Sequence, residues 1–326
     1  MIRQIMSKIA IERNKNFRSA VLFPVYDTFK SLMSKKIPIP PINTDNLTSY
    51  DVDVRKETEN PLVRVYVLTY NNAKFAGYNL NGILMQKTDF PFEIYVYDDC
   101  STDGTSDIIR WYAQKYPNIT ADISPVNYYS KDRKLWDKKQ AAIEKNHNCK
   151  YFAIADGDDY WIDPYKLQYQ VGFLEKNSDF SLCSGGYLTN NIFNGKQALT
   201  LGLTGTADVG IGYSFEVKAM LTANFTRVYR TASLPECEVV EKYDYWRDLH
   251  ELYYALLSGK GCFIPRVFGV YNQHQGGIMG GLPLKRQLEV SLKVLEELYR
   301  ETGDERIKKQ CLIHLKRIRE VSKNAE

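Results

Sequence analysis

The feature that most constrains the fold is the alternation of short apolar segments with helix-forming ones between residues 63 and 155. Four segments are rich in β-branched and aromatic residues, which is typical of strands (63–70, 93–99, 119–124 and 151–155). Helical patterns separate them (74–87, 105–116 and 135–146). Strands that are apolar on both faces need cover on both sides. The order therefore predicts an α/β fold with a mostly parallel, Rossmann-like sheet flanked by helices.

The flanking regions differ from this centre. Residues 1–36 contain eight Lys and Arg against two acidic residues, and three prolines in IPIPPIN (37–43) then interrupt any helix. We predict a basic N-terminal extension and linker over 1–61, a catalytic domain over 62–280 with halves 62–178 and 179–280, and a C-terminal helical segment over 281–326. The basic start favours peripheral contact with an anionic membrane, although packing on the catalytic domain remains the alternative.

Composition excludes several classes of protein. A net charge of +4 over 326 residues is too small to indicate a nucleic-acid partner. The six cysteines are scattered without paired spacing, which argues against a zinc site or a disulfide framework and favours a reducing cytosol. No apolar run approaches the ~20 residues that a membrane-spanning helix needs. We expect a cytoplasmic protein, peripheral at most to the inner face of the cell membrane.

Polar residues follow three of the predicted strands. Thr69, Tyr70 and Asn71 end the first, Asp98 and Asp99 end the second, and ADGDDYWIDP (155–164) follows the fourth. Carboxyl ends of parallel strands meet at one edge, where ligands bind in open α/β sheets. Acidic turns that only keep strand ends solvated are the alternative for each of them.

The acidic stretch after the fourth strand has a specific chemical use. Asp156, Asp158 and Asp159 offer the oxygen ligands that Mn²⁺ or Mg²⁺ prefers, in a shell that such ions commonly share with substrate phosphates. Gly157 would let the backbone approach a ligand closely. Asp163 and Pro164 are instead typical of a helix start.

Three motifs together, VYVLTYNNAKF, EIYVYDDCSTDGTSDII and IADGDDYWIDPYKLQYQ, resemble family-2 glycosyltransferases of the GT-A fold, of the type that builds bacterial surface polysaccharides. The resemblance covers about residues 63 to 278. It implies that Tyr70 stacks on uracil, that Leu68 offers its backbone where the family has proline, and that Asp99 accepts the N–H of the base. The implied nucleotide-binding set is Leu68, Thr69, Tyr70, Asn71, Asp98, Asp99, Lys139, Gln140, Asp156, Gly157 and Asp158.

The resemblance also implies roles in the second half of the chain. Asp248, just before a helix that ends in Gly-Lys, corresponds to the base that deprotonates the acceptor, and Asp244 is its rival. His274, in YNQHQGGI, would join Asp156, Asp158 and Asp159 around the metal ion. The implied residues on the acceptor or donor-sugar side are Trp161, Arg227, Asp244 and Trp246.

The implied activity is inverting, metal-dependent transfer of a sugar from a nucleotide-sugar donor, UDP-linked by expectation, to a glycan or lipid-linked oligosaccharide. The C-terminal helices are either a dimerisation element or one that packs on the catalytic domain. Two other readings stay open: a non-catalytic carbohydrate- or nucleotide-binding protein of the same fold, and a sugar-phosphate nucleotidyltransferase. The latter needs a glycine-rich phosphate loop after the first strand, and NNAKFAG does not provide one.

Overall fold

The structure is a computed structural model, and it describes residues 60–200, 207–208, 223–277, 279 and 281–323. The predictions made for the basic N-terminal extension therefore lie outside the described residues, apart from its last two positions. Within the described helices, none has both the length and the apolar character needed to cross a bilayer.

The first half forms the parallel part of the sheet. Its strands are β1 (Val63–Thr69), β2 (Phe92–Asp98), β3 (Ile119–Ile123) and β4 (Tyr151–Ile154), in the spatial order β3-β2-β1-β4. Helices α1 (Ala73–Leu84), α2 (Thr105–Lys115), α3 (Tyr128–Lys131) and α4 (Arg133–Lys145) connect them. All three strand pairs are parallel, so the polar residues that follow β1, β2 and β4 reach the same edge, as predicted.

The second half extends the sheet with mixed pairing. It contains β5 (Tyr160–Trp161), α5 (Lys166–Lys176), β6 (Phe180–Asn191), β7 (Lys196–Thr200), β8 (Ala207–Asp208), β9 (Val228–Arg230), α6 (Cys237–Val240), α7 (Asp248–Ser258) and β10 (Lys260–Gln273). The order continues β4-β9-β6-β10-β5. The short strand β9 is antiparallel to both β4 and β6, whereas β6 and β10 are parallel. The antiparallel β9 therefore joins the two halves into one sheet.

One predicted helix is shorter than expected. The resemblance implied a helix after Asp248 that ends in Gly-Lys, but α7 ends at Ser258. A side chain at Gly259 would come within 3.0 Å of the Asp179 carbonyl and 3.1 Å of the Ser181 amide. Gly259 and Lys260 therefore belong to the chain's return into the sheet rather than to the helix.

The sheet has a core on each face. On one face Val65, Ile83, Ile109 and Leu167 pack together. On the other, Tyr66, Phe152 and Tyr229 pack against α7 and the C-terminal helices α8 (Leu284–Thr302) and α9 (Glu305–Lys323), and the chain turns at Gly303 between these two helices. The C-terminal segment thus packs on the catalytic domain, which was one of the two alternatives for it.

Candidate active site

The loops after β1 and β2 are tied together at the sheet edge. Asn71 adopts a φ of 53°, a left-handed conformation that asparagine tolerates better than most residues. Its amide donates to Ser101 Oγ at 2.8 Å, and its side-chain oxygen accepts from the Thr102 amide at 2.8 Å. The neighbouring Tyr70 remains 46% exposed, so its ring can receive a flat ligand.

The two carboxylates after β2 are buried and bound by neutral donors. Asp98 accepts hydrogen bonds from the hydroxyls of Ser101 and Ser106, one on each oxygen. Asp99 accepts from the main-chain amides of Tyr128 and Tyr129 at 3.0 Å each. These bonds fix the loops before α2 and α3. A carboxylate has about four lone-pair positions, so the predicted contact of Asp99 with a base N–H remains compatible with them.

Gly157 is required by the packing of the strand ends of β1 and β4. Its amide donates to the Leu68 carbonyl at 2.9 Å. A side chain there would lie 2.6 Å from Thr69 Cβ and 2.8 Å from the Leu68 oxygen. The close approach is thus between the strand ends of β1 and β4, where Thr69 Oγ1 also accepts from Asn72. It holds the acidic loop against the end of β1.

Asp158 and His274 form the part of the predicted metal site that comes together. His274 Nε2 lies 3.0 Å from Asp158 Oδ2, and Phe75 packs on the imidazole with ring centroids 4.7 Å apart. Adjacent ligands of an octahedral ion with bonds of about 2.1 Å are themselves about 3 Å apart. The separation of this oxygen–nitrogen pair is that of a hydrogen bond, and it would also suit two neighbouring ligands of one divalent ion.

Asp159 corrects the predicted ligand set. It is 1% exposed, and its Oδ1 accepts from the Asn272 amide at 2.8 Å, on β10. Burial raises its pKa well above the usual range, and the charges of Asp158 and Asp156 add to this rise. Across the described residues, no group of three or more His, Cys, Asp or Glu side chains surrounds one point. Asp159 therefore fastens the acidic loop to β10 instead of facing a ligand.

Asp156 connects the two halves of the site. Burial raises its pKa to about 7, with further contributions from the negative charges of Asp158 and Asp248, while Arg227 and Asn224 favour its charged form. Asp248 is the first residue of α7, and its Oδ2 lies 3.6 Å from Arg227 Nη1. The predicted base thus lies near enough to the acidic loop for its charge to raise the pKa of Asp156, although the two residues come from different halves of the domain.

Arg227 is buried, which differs from the expectation that it faces a sugar. It is 2% exposed and bonds to protein groups at the junction of the 3₁₀ turn Asn224–Thr226 with β9. Because its side chain is only 3% exposed while that of Asp248 is 49% exposed, the carboxylate is the member of the pair that an acceptor can reach.

Glu251 belongs to the same site and was missed from the sequence. It lies one helical turn after Asp248 and is 7% exposed, and its Oε2 has no hydrogen-bond partner among the described residues. Burial raises its pKa to about 8, with Asp248 and Asp156 adding to the rise and Arg227 opposing it. The signal that could have found it is a glutamate beside Leu252 and Ala255 on the buried face of α7.

The predicted basic and amide pair on α4 separates into two roles. Lys139 is half-buried, with Nζ 4.7 Å from the centre of the Tyr128 ring, next to the amides that bind Asp99. Gln140 is 4% exposed, and its side-chain oxygen accepts from the Tyr66 hydroxyl in the middle of β1. The accepting group of Gln140 is thus used inside the core, and its contact with the nucleotide stays a prediction.

The two tryptophans assigned to the acceptor or sugar side are also corrected. Trp161 is 2% exposed, its indole donates to the Phe225 carbonyl at 2.8 Å, and Lys166 Nζ lies 4.0 Å from its ring. Trp246 is 4% exposed and stacks on His250 with ring centroids 4.8 Å apart. Both rings are core residues with no free face to offer a sugar.

Asp244, the alternative base, lies on the surface. Its carboxylate is 67% exposed and pairs with Lys134 Nζ at 2.8 Å. The hydrogen bond and the charge of Lys134 lower the pKa of Asp244. Among the described contacts Asp244 has none with Asp156 or Arg227, so the geometry favours Asp248 as the base.

Comparison with known proteins finds a matching family model and several similar proteins. The family model described as Glycosyl transferase family 2 matches residues 64–242, more than half of the chain. TuaG of Bacillus subtilis, whose name links it to teichuronic acid biosynthesis, is 32% identical over 118 residues, which cover 36% of this chain and 44% of TuaG. The chain spans less than half the length of the curated relatives it matches.

Two solved structures share the fold. TarS 1–349 of S. aureus in complex with UDP-GlcNAc superposes with a TM-score of 0.51 at 23% identity, covering 73% of this chain and 66% of that one. The mannosyltransferase PcManGT from Pyrobaculum calidifontis, in complex with GDP-Man and Mn²⁺, gives a TM-score of 0.53 at 17% identity over 84% of this chain and 74% of the other. At these identities the likeness establishes the GT-A fold alone.

Proposed function

The chain belongs to glycosyl transferase family 2, and from that premise we propose that it transfers a sugar from a nucleotide-sugar, UDP-linked by preference, to a hydroxyl of a cell-surface glycan or its lipid-linked precursor. One observation carries the proposal. The base candidate Asp248, from the second half, lies beside Arg227. It is also close enough to Asp156 for its charge to raise the pKa of that carboxyl group. A protein that only bound a nucleotide would not need this second carboxylate.

The donor would lie along the edge formed by β1, β2 and β4. Tyr70, with its exposed ring, would stack on the base, and Asp99 would accept the base N–H beside its main-chain partners. Asp158 and His274 would hold a divalent ion, which supplies positive charge to the leaving diphosphate. TarS, whose structure contains UDP-GlcNAc, supports the choice of donor class, and the name of TuaG supports the polysaccharide context.

The reaction we propose is a single displacement. Asp248 takes the proton of the acceptor hydroxyl as that oxygen attacks the anomeric carbon. The new bond forms on the face opposite the leaving group, the bond from carbon to the diphosphate oxygen breaks, and the nucleotide diphosphate leaves with the electron pair. The configuration at the anomeric carbon is therefore inverted. Because Asp248 is half-exposed, an acceptor can reach it from solvent.

The test is a transfer assay with a panel of UDP-sugars, with GDP-mannose for comparison, each with Mn²⁺, Mg²⁺ or chelator. Donor binding is followed in parallel by thermal shift, because a ligand that binds only the folded state raises the unfolding temperature. We expect one donor to stabilise the protein in the presence of metal and to be transferred or slowly hydrolysed. If no donor is bound or consumed with either ion, the proposal is wrong. Binding without turnover would favour the non-catalytic alternative.

A further inference from the structure

Arg227 is a buried cation in the position just before β9. It stands between the 3₁₀ turn and β9, where it is 2% exposed. Removing a guanidinium from water is costly unless charged and hydrogen-bonding partners replace the water. The groups that replace water around Arg227 therefore indicate its structural role.

Two of its contacts are to the residue that we assign as the base. Nη1 lies 3.2 Å from the main-chain carbonyl of Asp248 and 3.6 Å from its Oδ2. The same nitrogen lies 3.1 Å from Asn224 Oδ1 and 3.2 Å from the Tyr229 hydroxyl, which anchor it to the sheet. Arg227 thus connects the first turn of α7 to the sheet through both the backbone and the side chain of Asp248.

Three carboxyl groups lie around Arg227. Asp156 comes from the loop after β4, and Asp248 and Glu251 come from α7, whereas the Tyr229 hydroxyl on β9 is a neutral hydrogen-bond partner. Without a cation between them, the carboxylates on these elements would repel one another across a poorly solvated space. The guanidinium allows the acidic loop and the start of α7 to approach.

From these contacts we propose that Arg227 is a positioning residue for Asp248. Arg227 holds the carboxylate from the protein interior, so that the solvent-exposed side of the carboxylate stays accessible to the acceptor. This inference rests on the proposed function. It differs from the sequence-based expectation, in which Arg227 contacts a sugar directly. A base displaced by about 1 Å can lose about 100-fold in rate while substrate binding is unchanged.

Arg230, the last residue of β9, provides a control three positions further along the chain. It is half-buried and donates to the main-chain carbonyls of Phe180 at 2.7 Å and Asn177 at 3.1 Å, and to the Tyr151 hydroxyl at 3.1 Å. None of the contacts described for it involves Asp248. Arg230→Gln therefore removes a structural arginine of similar kind without touching the base.

The experiment compares Arg227→Gln, Arg227→Lys, Arg227→Ala and Arg230→Gln in the full-length protein. It measures kcat, KM for the donor identified in the assay above, and the unfolding temperature. We expect Arg227→Gln to lower kcat by about 100-fold with KM for the donor nearly unchanged. Arg227→Lys should recover part of the loss, and free guanidinium at millimolar concentration should partly rescue Arg227→Ala. Arg230→Gln should lower the unfolding temperature and leave kcat near the wild-type value.

Hydrogen exchange over residues 246–252 supplies a readout that does not depend on turnover. Faster exchange in Arg227→Gln, but not in Arg230→Gln, is expected if Arg227 holds the start of α7. The inference is wrong if kcat for Arg227→Gln is no lower than that for Arg230→Gln, or if exchange in Arg227→Gln is the same as in the wild type. In either case the proposed function still holds as long as the wild type transfers a sugar. If the wild type transfers nothing, the proposed function fails, and exchange alone decides whether Arg227 anchors Asp248.

Discussion

The carboxyl groups after β2 and those around Arg227 differ in the groups that surround them. Asp98 and Asp99 are buried, but hydroxyl and main-chain donors bind their oxygens. Asp156 is half-buried and Glu251 is buried, both face other carboxylates, and burial raises their pKa values to about 7 and about 8, respectively. Satisfied carboxylates of the first kind organise loops. Carboxylates kept in an unfavourable setting, as in the second region, are typical of sites where chemistry takes place.

The largest effect that would test this contrast is expected at Asp248. Asp248→Asn keeps the shape of the side chain but cannot accept the proton of the acceptor, so transfer should fall by about 10³-fold, while donor binding in a thermal-shift titration stays close to wild type. Asp244→Asn is the control, because that carboxylate is surface-exposed and paired with Lys134. Equal losses for the two variants, or loss of donor binding in Asp248→Asn, would remove Asp248 from the role of base.

The next effect concerns the metal pair. His274→Gln and Asp158→Asn should each weaken metal-dependent donor binding by about 10- to 100-fold, a range reported for losses at metal sites. With chelator present, the variants and the wild type should bind the donor almost equally, because the ion no longer contributes. His314→Gln, in α9 far along the chain, serves as a control for the same substitution. An unchanged Mn²⁺ titration in His274→Gln would contradict the assignment.

The buried carboxyl of Glu251 gives a prediction about pH. Its pKa is about 8 in the folded protein against an ordinary 4.5, so between these values the folded state holds a proton that the unfolded chain releases. Stability therefore falls as pH rises through this window. Glu251→Gln cannot ionise, so its advantage in unfolding temperature over wild type should be small near pH 4.5, should grow towards pH 8 and should then level off.

Glu305→Gln is the control for this pH dependence. The hydrogen bond from Lys308 lowers the pKa of Glu305, so its contribution to stability is lost at acidic rather than alkaline pH. Parallel curves for Glu251→Gln and wild type from pH 5 to 9 would show that Glu251 is solvated, and the contrast between the two regions would then be weaker than the structure indicates.

The parallel half was predictable because its signals are local. The apolar runs placed β1, β2, β3 and β4 within one residue of their observed ends, and the polar residues that follow them reach one edge, as the topology requires. Asp158 and His274 are 116 residues apart, and local sequence patterns do not indicate that they are neighbours. Their proximity could be predicted only from the family resemblance.

What local patterns could not supply is side-chain direction. In β5 successive side chains point to opposite faces, and only the packed structure shows that Trp161 faces the core. Gln140 was assigned by analogy to a position on α4, yet the neighbouring Tyr66 draws its side chain inward. Glu251 was hidden because a glutamate in a helix is usually solvated, and its burial follows from how α7 packs against the sheet.

The smallest effect is expected at Tyr70, which lies near Asp98 and Asp99, in the region whose carboxylates have hydrogen-bond donors. Its ring is 46% exposed, so stacking on a base gains only about 0.5–1.5 kcal/mol beyond burial, and Tyr70→Ala should weaken donor binding by about 5-fold. Tyr70→Phe keeps the ring and should bind the donor as wild type does, and kcat should be nearly the same in all three proteins, because Tyr70 touches no reacting atom in the proposed complex. If Phe loses as much affinity as Ala, the hydroxyl rather than the ring holds the donor. If Ala lowers kcat as strongly as Arg227→Gln, the separation of donor binding from catalysis along this edge is wrong.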